Sequence, residues 1–477
     1  MLWLALYLPA LSLEIFARAD PAPEPLVVSV DERVQQVLIA NRAAQTLGVR
    51  PGMGLGAAHA LVPDLRVHPR DAVAEHAMLE RLAAWAGQFT SQVSIVSPHM
   101  LLLEVEGSLT LFGGLAPLRE QVRAQIAALG FEAIMGIAPT PLAATWFAHA
   151  GREVEITDQA TLSGALAALP LACMGLAEKQ RDTLHGMGVR TVGDCLRLPR
   201  TGLARRLGAE LVAAFDQALG RMPDPRPYYS APARYRGNLA LPGSVENTEG
   251  LLFALHRLLQ ELGGFLLARG AGVPALTLIL HHVKRATTEV TLGLVAPSRD
   301  VEHLFALWRE RLERVVLTAP VEEITLRADA LVPLGSRAGD FFAPKHADPQ
   351  ARAALIERLK ARLGEDAVRG LALVAEHRPE RAWRYVAVGE GEGTAPSTIR
   401  PLWLLAAPLP LEERNGTPWL EGALALAPDR ERIESGWWDD GDVRRDYFVA
   451  HSAAGARLWV YRELTGPRRW FLHGVFG

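Results

Sequence analysis

The sequence predicts an α+β fold divided among several domains, and three observations carry that expectation. The chain has 477 residues, too many for one compact core. Strand-like and helix-like stretches alternate up to about residue 168, then give way to short helices broken by Gly and Pro. Residues 233–333 run in the order β-α-β-β-α-β, a ferredoxin-like split unit. An apolar share of 49% and a charged share of 22% are those of a globular protein, not a disordered one. Only Cys173 and Cys195 occur, which excludes a disulfide framework or a Cys-rich zinc site and suits a reducing cytoplasm.

The elements follow in order. "MLWLALYLPALSLEIF" is apolar but lacks a basic n-region and a small-residue cleavage site, and Pro9 and Glu14 interrupt it well short of the ~20 residues of a membrane span. It reads as a buried strand followed by a short helix. "PLVVSV" is a strand, and "VLIANRAAQTLGV" passes from strand to helix. In "DAVAEHAMLERLAAWAGQFT", Leu79, Leu82, Ala86 and Phe89 recur at helical spacing, which predicts an amphipathic helix. "SIVSPHMLLLEVEGS" (94–108) is a β-hairpin, followed by a helix near 115–129, the strand "FEAIMGIA" and a helix from Pro141.

From Leu169, "LPLACMGLAEKQRDTLHGMGVRTVGDCLRLP" has a tight turn at Met174-Gly175, a helix over 176–185, a second turn over 186–188 and a further helix from Val192. Such a helix-hairpin-helix points backbone N–H groups at a phosphate oxygen. The alternative is a plain helical linker domain, against which stands the crowding of Arg190, Arg197, Arg200, Arg205 and Arg206, with Lys179 beside them. Residues 170–240 hold eleven Lys and Arg against six Asp and Glu, although the whole chain carries −3. This local excess fits a phosphate-facing surface or a solvated Arg-rich face. The turn between the second and third strands of the split unit bears His282, Lys284 and Arg285, either a grip on a DNA backbone or a solvated hairpin tip.

Beyond Leu334, "GSRAGDFFAPKHADPQ" sets Phe341 and Phe342 side by side among polar residues. Paired aromatics there either dock on the protein itself or form a peptide for a partner's pocket. An amphipathic helix follows over 351–368. The stretch from Pro401 holds Trp403, Trp419, Trp437, Trp438, Trp459 and Trp470 and alternates like β-strands, either a Trp-rich core or a binding module.

This order of parts resembles the Y-family (translesion) DNA polymerase core, with palm and fingers over 1–168, a helix-hairpin-helix thumb over 169–230 and a βαββαβ little finger over 233–333. "ANRAAQTLGVRPGMGLGAAHALVPDL" resembles that family's fingers, "VSIVSPHMLLLEVEGSLTLFGG" its catalytic hairpin, and "MGIAPTPLAATWFA" the strand and helix that follow. The Leu-Phe-Gly-Gly after Ser108 and the Trp-rich tail narrow the resemblance to the ImuB family of polymerase-like mutagenesis proteins, over essentially the whole chain. Residues 334–350 then form a linker with a candidate clamp-binding peptide, and 351–477 a C-terminal partner-binding region.

The resemblance implies where the chemistry of an active polymerase would sit. Its first-strand acids fall on Ala5 and Tyr7, and its hairpin Asp-Glu pair on His99 and Met100. The triphosphate contacts fall on Arg42 and Gln45 in the fingers and on Pro141 and Thr145 at the later helix. Two-metal phosphoryl transfer needs hard oxygen ligands around Mg²⁺, and Ala5 and Met100 offer none. Glu104 and Glu106, two apart on one strand, face the same way and offer a substitute pair only if a third acid joins them.

The implied protein is a non-catalytic, cofactor-free scaffold of error-prone translesion synthesis in the DNA damage (SOS) response, cytoplasmic and nucleoid-associated. Its implied partners are DNA, the sliding clamp, the RecA-like companion ImuA and an error-prone DnaE-type polymerase, with no membrane. DNA contacts are expected at Met174, Gly175, Lys179, Arg190, Arg205, Arg206, Lys284 and Arg285. Clamp contacts are expected at Arg337, Asp340, Phe341 and Phe342, and partner anchors at Trp437, Trp438 and Trp459. The alternatives are a divergent active polymerase using Glu104, Glu106 or Glu14, and a DNA-structure-binding repair factor that works without a clamp.

Overall fold

The computed structural model describes residues 1–20, 24–31, 33–334, 349–388, 390, 400–439 and 441–476. The chain divides into two compact units, 1–362 and 363–477. The first unit opens with β1 (Trp3–Tyr7), α1 (Leu11–Ala17), β2 (Leu26–Ser29), β3 (Val37–Ala40), α2 (Arg42–Thr46), α3 (Leu55–Leu61), β4 (Arg66–Pro69) and α4 (Ala72–Ala86). It continues through β5 (Val93–Val96), β6 (Met100–Glu104), α5 (Leu109–Phe112), α6 (Leu115–Ala128), β7 (Ile134–Ala138) and α7 (Pro141–His149).

The first sheet has the order β5-β6-β1-β7, and β1 pairs antiparallel with both neighbours. Side chains alternate across it. Leu4, Leu6, Leu101 and Leu103 face the apolar sides of α4 and α6, and Trp3, Ala5, Met100 and Leu102 face α7 and the helices that follow. Helix starts are fixed locally, by the Asp71 carboxylate accepting from Val73 and Ala74 N–H and by Thr140 capping α7 ahead of Pro141. Gly136 on β7 lets α7 approach, since a Cβ there would lie 2.2 Å from the Ala144 carbonyl oxygen. A separate sheet, β3-β2-β4, carries its own core of Val27, Val37, Ala44, Ala58 and Val62.

Five short helices come next: α8 (Gln159–Ala167), α9 (Glu178–Gly186), α10 (Val192–Leu196), α11 (Arg200–Leu207) and α12 (Ala209–Ala218). After them run β8 (Tyr235–Val245), α13 (Glu249–Ala268), β9 (Ala271–His282), β10 (Thr288–Ser298), α14 (Val301–Leu312), β11 (Val321–Ala328), β12 (Val332–Pro333) and α15 (Pro349–Leu363). The sheet order is β10-β9-β11-β8 with every neighbour antiparallel. Strands β8 and β9 therefore run parallel with β11 between them, the split βαβ arrangement. One face is sealed by α13 and α14. Within α15, Glu357 is buried and accepts from the Val295 N–H at 2.6 Å, which ties this helix to the same unit.

A buried ion cluster fastens α13 to the helices of the first sheet. The Glu261 carboxylate of α13 accepts from Arg81 of α4 at 2.6 and 2.7 Å and from Arg18, just past α1, at 3.2 Å. The Tyr235 hydroxyl lies 3.3 Å from the same carboxylate. Burial works against the Glu261 charge, and Arg81 and Arg18 outweigh it, holding its carboxyl below the usual range.

The second unit contains β13 (Gly370–Leu373), β14 (Trp383–Val386), β15 (Trp403–Arg414), β16 (Thr417–Trp419), β17 (Ala425–Ser435), β18 (Val443–His451), β19 (Arg457–Glu463) and β20 (Trp470–Val475). The last six form one antiparallel sheet in the order β16-β15-β20-β19-β18-β17. It buries both faces: Leu458 and Val460 of β19 join Trp470 and Leu472, while Trp459 and Tyr461 join Tyr447 and Ile433.

Glu261→Ala leaves two buried guanidinium groups without their acid and should lower the stability of the first unit by about 3–5 kcal/mol. A Glu261→Leu, Arg18→Met, Arg81→Met triple variant should recover most of that loss. Urea midpoints of the three proteins, followed by far-UV circular dichroism, check the ordering.

Candidate functional site

The hairpin and β1 bring together Ala5, Tyr7, His99 and Met100, the positions on which the family resemblance is expected to place a polymerase's metal ligands. Tyr7 stands opposite Met100 and Ala5 opposite Leu102, and Val96 pairs with Met100 from the other side. Ala5, Met100 and Leu102 are fully buried among apolar neighbours that include Ala143, Phe147, Leu169 and Cys173. Tyr7 packs edge-on against His149, with ring centroids 4.8 Å apart, and His149 Nδ1 lies 3.2 Å from the Cys173 carbonyl oxygen. His99 is half-buried and its backbone carbonyl accepts from Leu8 N–H at 2.8 Å. Burial holds its imidazole below the ordinary value, so it is neutral near pH 7, and its Nδ1 has no hydrogen-bond partner among the described residues. These groups do not fit Mg²⁺, which takes several oxygen ligands. No cluster of three or more His, Cys, Asp or Glu side chains placed to hold a metal occurs among the described residues.

The expectation that Glu104 and Glu106 share a strand face is corrected. Strand β6 ends at Glu104, and Glu106 begins a 3-10 turn. Glu104 lies opposite Trp3, at the far end of the strand from Met100, and its Oε1 accepts from the Leu2 and Glu106 N–H groups at 3.2 and 3.3 Å. Its work is to cap the chain, not to complete an acid pair.

Glu14 is a buried acid near these elements. Its Oε1 accepts from the Glu132 N–H at 2.7 Å, and its Oε2 has no hydrogen-bond partner among the described residues. Burial pushes its carboxyl up to about 8, against the hydrogen bond from Glu132 and the nearby Arg257 charge. It lines a cavity of about 800 Å³ together with Asn41, Arg42, Gln45, Phe131 and Arg257. Gln45 of α2 reaches back to the end of β3, donating to the Ala40 carbonyl at 2.6 Å. Pro141 is the first residue of α7 and Thr145 donates to its carbonyl at 2.9 Å, so both are internal to that helix.

The helical region supplies a different surface. Gly175, at φ +66°, ends the 3-10 turn Leu171–Met174 and leads into α9, with Lys179 exposed in its first turn. Gly188, at φ +80°, makes the second turn, and Thr191 and Asp194 cap α10 reciprocally at 3.1 and 2.9 Å. Arg197 and Arg200 are neutralised by Asp194 and Asp216. Arg190, Arg205 and Arg206 are exposed and have no acidic partner among the described residues, and Arg206 reaches Met187 beside the second turn. Lys284 and Arg285 stand exposed at the tip between β9 and β10. The adjacent His282 does not share that exposure: it is buried between the Ala319 carbonyl at 2.7 Å and the Thr288 hydroxyl at 2.8 Å.

Sequence reasoning missed one basic pair, Arg236 and Arg327. They face each other across β8 and β11 on the sheet face away from the buried Tyr235 and Leu326. The alternation in "RYRGNLAL" was the available signal.

In the second unit Trp437 and Trp438, 78% and 58% exposed, sit in the loop between β17 and β18. Buried Arg378 holds that loop by donating to Asp439 at 2.8 and 2.7 Å and to Glu376 at 2.7 Å. Trp459 is corrected: it is 2% exposed, stacked 4.1 Å from Tyr447, and so belongs to the core, where no partner reaches it. Arg337, Asp340, Phe341 and Phe342 lie outside the described residues.

Comparison with known proteins adds a second line. Residues 11–148 match the model of the impB/mucB/samB family. Protein ImuB of Caulobacter vibrioides is 30% identical over 459 residues, spanning 90% of this chain and all of that protein. DNA polymerase IV of Dehalococcoides mccartyi is 27% identical over 217 residues, 44% of this chain and 55% of the polymerase. Among solved structures, DinB from Sulfolobus solfataricus aligns with 70% of this chain and all of its own at 18% identity, with a TM-score of 0.40.

The raised Glu14 carboxyl has a consequence for stability. The folded state keeps its proton up to about pH 8, whereas an unfolded Glu releases it near its ordinary value. Stability should therefore fall as pH rises from about 4.5 to 8, by up to about 4 kcal/mol. Glu14→Gln should flatten this slope and raise stability at pH 8, as read by denaturant midpoints of both proteins across that range.

Proposed function

The chain belongs to the ImuB family, and from that premise we propose that it is a non-catalytic, polymerase-like scaffold for error-prone translesion synthesis and damage-induced mutagenesis. Family membership carries a polymerase-like role in DNA damage tolerance. The observation that supports the absence of catalysis is the apolar burial of Ala5 and Met100 beside a neutral His99. A primer hydroxyl and a triphosphate need two metals held by carboxylates, and these positions offer an alkyl group, a thioether and an imidazole.

What remains suits holding DNA. Backbone N–H groups at the Met174-Gly175 turn and the cations Lys179, Arg190, Arg205, Arg206, Lys284 and Arg285 take phosphates without reading sequence. Catalysis then comes from a recruited error-prone DnaE-type polymerase, with the RecA-like ImuA as companion, through the C-terminal unit and its Trp437-Trp438 loop. The clamp contact is assigned to Arg337, Asp340, Phe341 and Phe342, which lie in sequence between β12 and α15. Tethering partners in this way raises their local concentration at a lesion on the nucleoid without any chemistry of the scaffold's own.

Purified protein should incorporate no nucleotide on a primer-template with either Mg²⁺ or Mn²⁺. Template-dependent extension that survives repurification and disappears on Glu104→Ala would overturn the assignment. DNA binding should persist, and Arg205→Glu with Arg206→Glu should weaken it and reduce the log–log salt slope by about 0.7–0.9 per lost phosphate contact. Fluorescence anisotropy over a salt series reads both.

A further inference from the structure

Helix α15 turns an apolar stripe outward. One side of it is anchored: Glu357 accepts from the Val295 N–H at 2.6 Å and lies 2.6 Å from His303 Nε2, and Ala361, one turn on, is 5% exposed. On the other side Leu355, Leu359 and Leu363 recur every fourth residue and are 57%, 38% and 55% exposed. Ile356, beside the stripe, is half-buried. A surface helix ordinarily turns its leucines inward and its charges outward. In α15 the buried positions hold Glu357 and Ala361, and the outward ones hold the leucines.

The charges on that side indicate what covers it. Arg352 stands three residues before Leu355 and Arg362 three after Leu359, so both lie on the leucine side of the helix. Both are exposed, and neither has a carboxylate partner among the described residues. Arg358, further round, already meets Glu310 at 3.4 Å. From Pro349 to Leu363 the sequence holds one acid, Glu357, and that acid is buried. The outward surface is therefore apolar and basic. A second copy of α15 would set Arg352 and Arg362 against like charges in either orientation. A helix with leucines at matching spacing and carboxylates at its margins meets both features, its stripe packing on the leucines and its acids reaching the two guanidinium groups.

We propose that the Leu355, Leu359 and Leu363 face of α15 is the docking surface for an acidic amphipathic helix of a partner protein. This role rests on the chain acting as a scaffold. The test uses the full chain and a fluorescent helical peptide with Leu at every fourth position, Ala between and Glu at the margins, with a counterpart carrying Lys in place of Glu. The acidic peptide should bind at least about tenfold more tightly than the basic one. Leu355→Ser with Leu359→Ser should weaken it at least about tenfold with the melting profile unchanged, because both side chains are exposed. Arg352→Glu with Arg362→Glu keeps the leucines and should make the basic peptide the tighter ligand. Should the serine variant melt differently, the arginine variant decides alone. No binding, equal binding of both peptides, indifference to the variants, self-association that the serine variant loses, or capture by anionic vesicles that it loses each overturns the proposal. Nucleotide incorporation by the purified chain removes the scaffold reading and this role with it, whereas failure of the peptide on a chain that incorporates nothing removes this role alone.

Discussion

Strand β1 is the element on which the first unit depends, because it is apolar on both faces and has strands on both edges. Its Leu4 and Leu6 seal one layer and its Trp3 and Ala5 the other. A carboxylate at the Ala5 position would be desolvated unless a metal or a cation met it, at a cost of several kcal/mol. With Ala there the strand closes against Met100 and Leu102 as ordinary core. Once the first acid is absent, acids on the facing hairpin have no cation to share, and the site becomes a packing junction.

The same logic separates binding from chemistry in this chain. Arg190, Arg205 and Arg206 of the helical region, which have no acidic partner among the described residues, are exposed, at turns and helix ends, where charge costs little. The ionisable groups that are deeply buried do structural work: Glu261 joins α13 to α1 and α4, and Arg378 fixes the loop of Trp437 and Trp438. Glu14 is buried without a full set of partners and keeps its proton instead.

Much of this was legible in the sequence. Helical spacing located α4, and strand alternation located the hairpin β5–β6 and the βαββαβ order, because each signal is local. The expectation that Ala5, Tyr7, His99 and Met100 stand at a polymerase's acid positions came from the family resemblance of short strings, not from a periodic signal. What was not legible depends on register or distance. Glu104 and Glu106 look like a same-face pair until β6 ends between them. Trp459 and Trp437 are alike as residues, and only the pairing of β18 with β19 decides which is core. The Arg18–Glu261–Arg81 cluster joins residues 243 and 180 positions apart, which no periodicity reports.

The central claim is that the Ala5, His99 and Met100 junction holds no catalytic metal even with its substrates present. Anomalous diffraction from a crystal of the chain with primer-template DNA, an incoming nucleotide and Mn²⁺ tests it most directly. The account predicts no anomalous peak bound by protein side chains at that junction, with density there continuous through the Tyr7, Met100 and His149 packing. A peak coordinated by Glu104, Glu106 or Glu14 beside the primer terminus would contradict it.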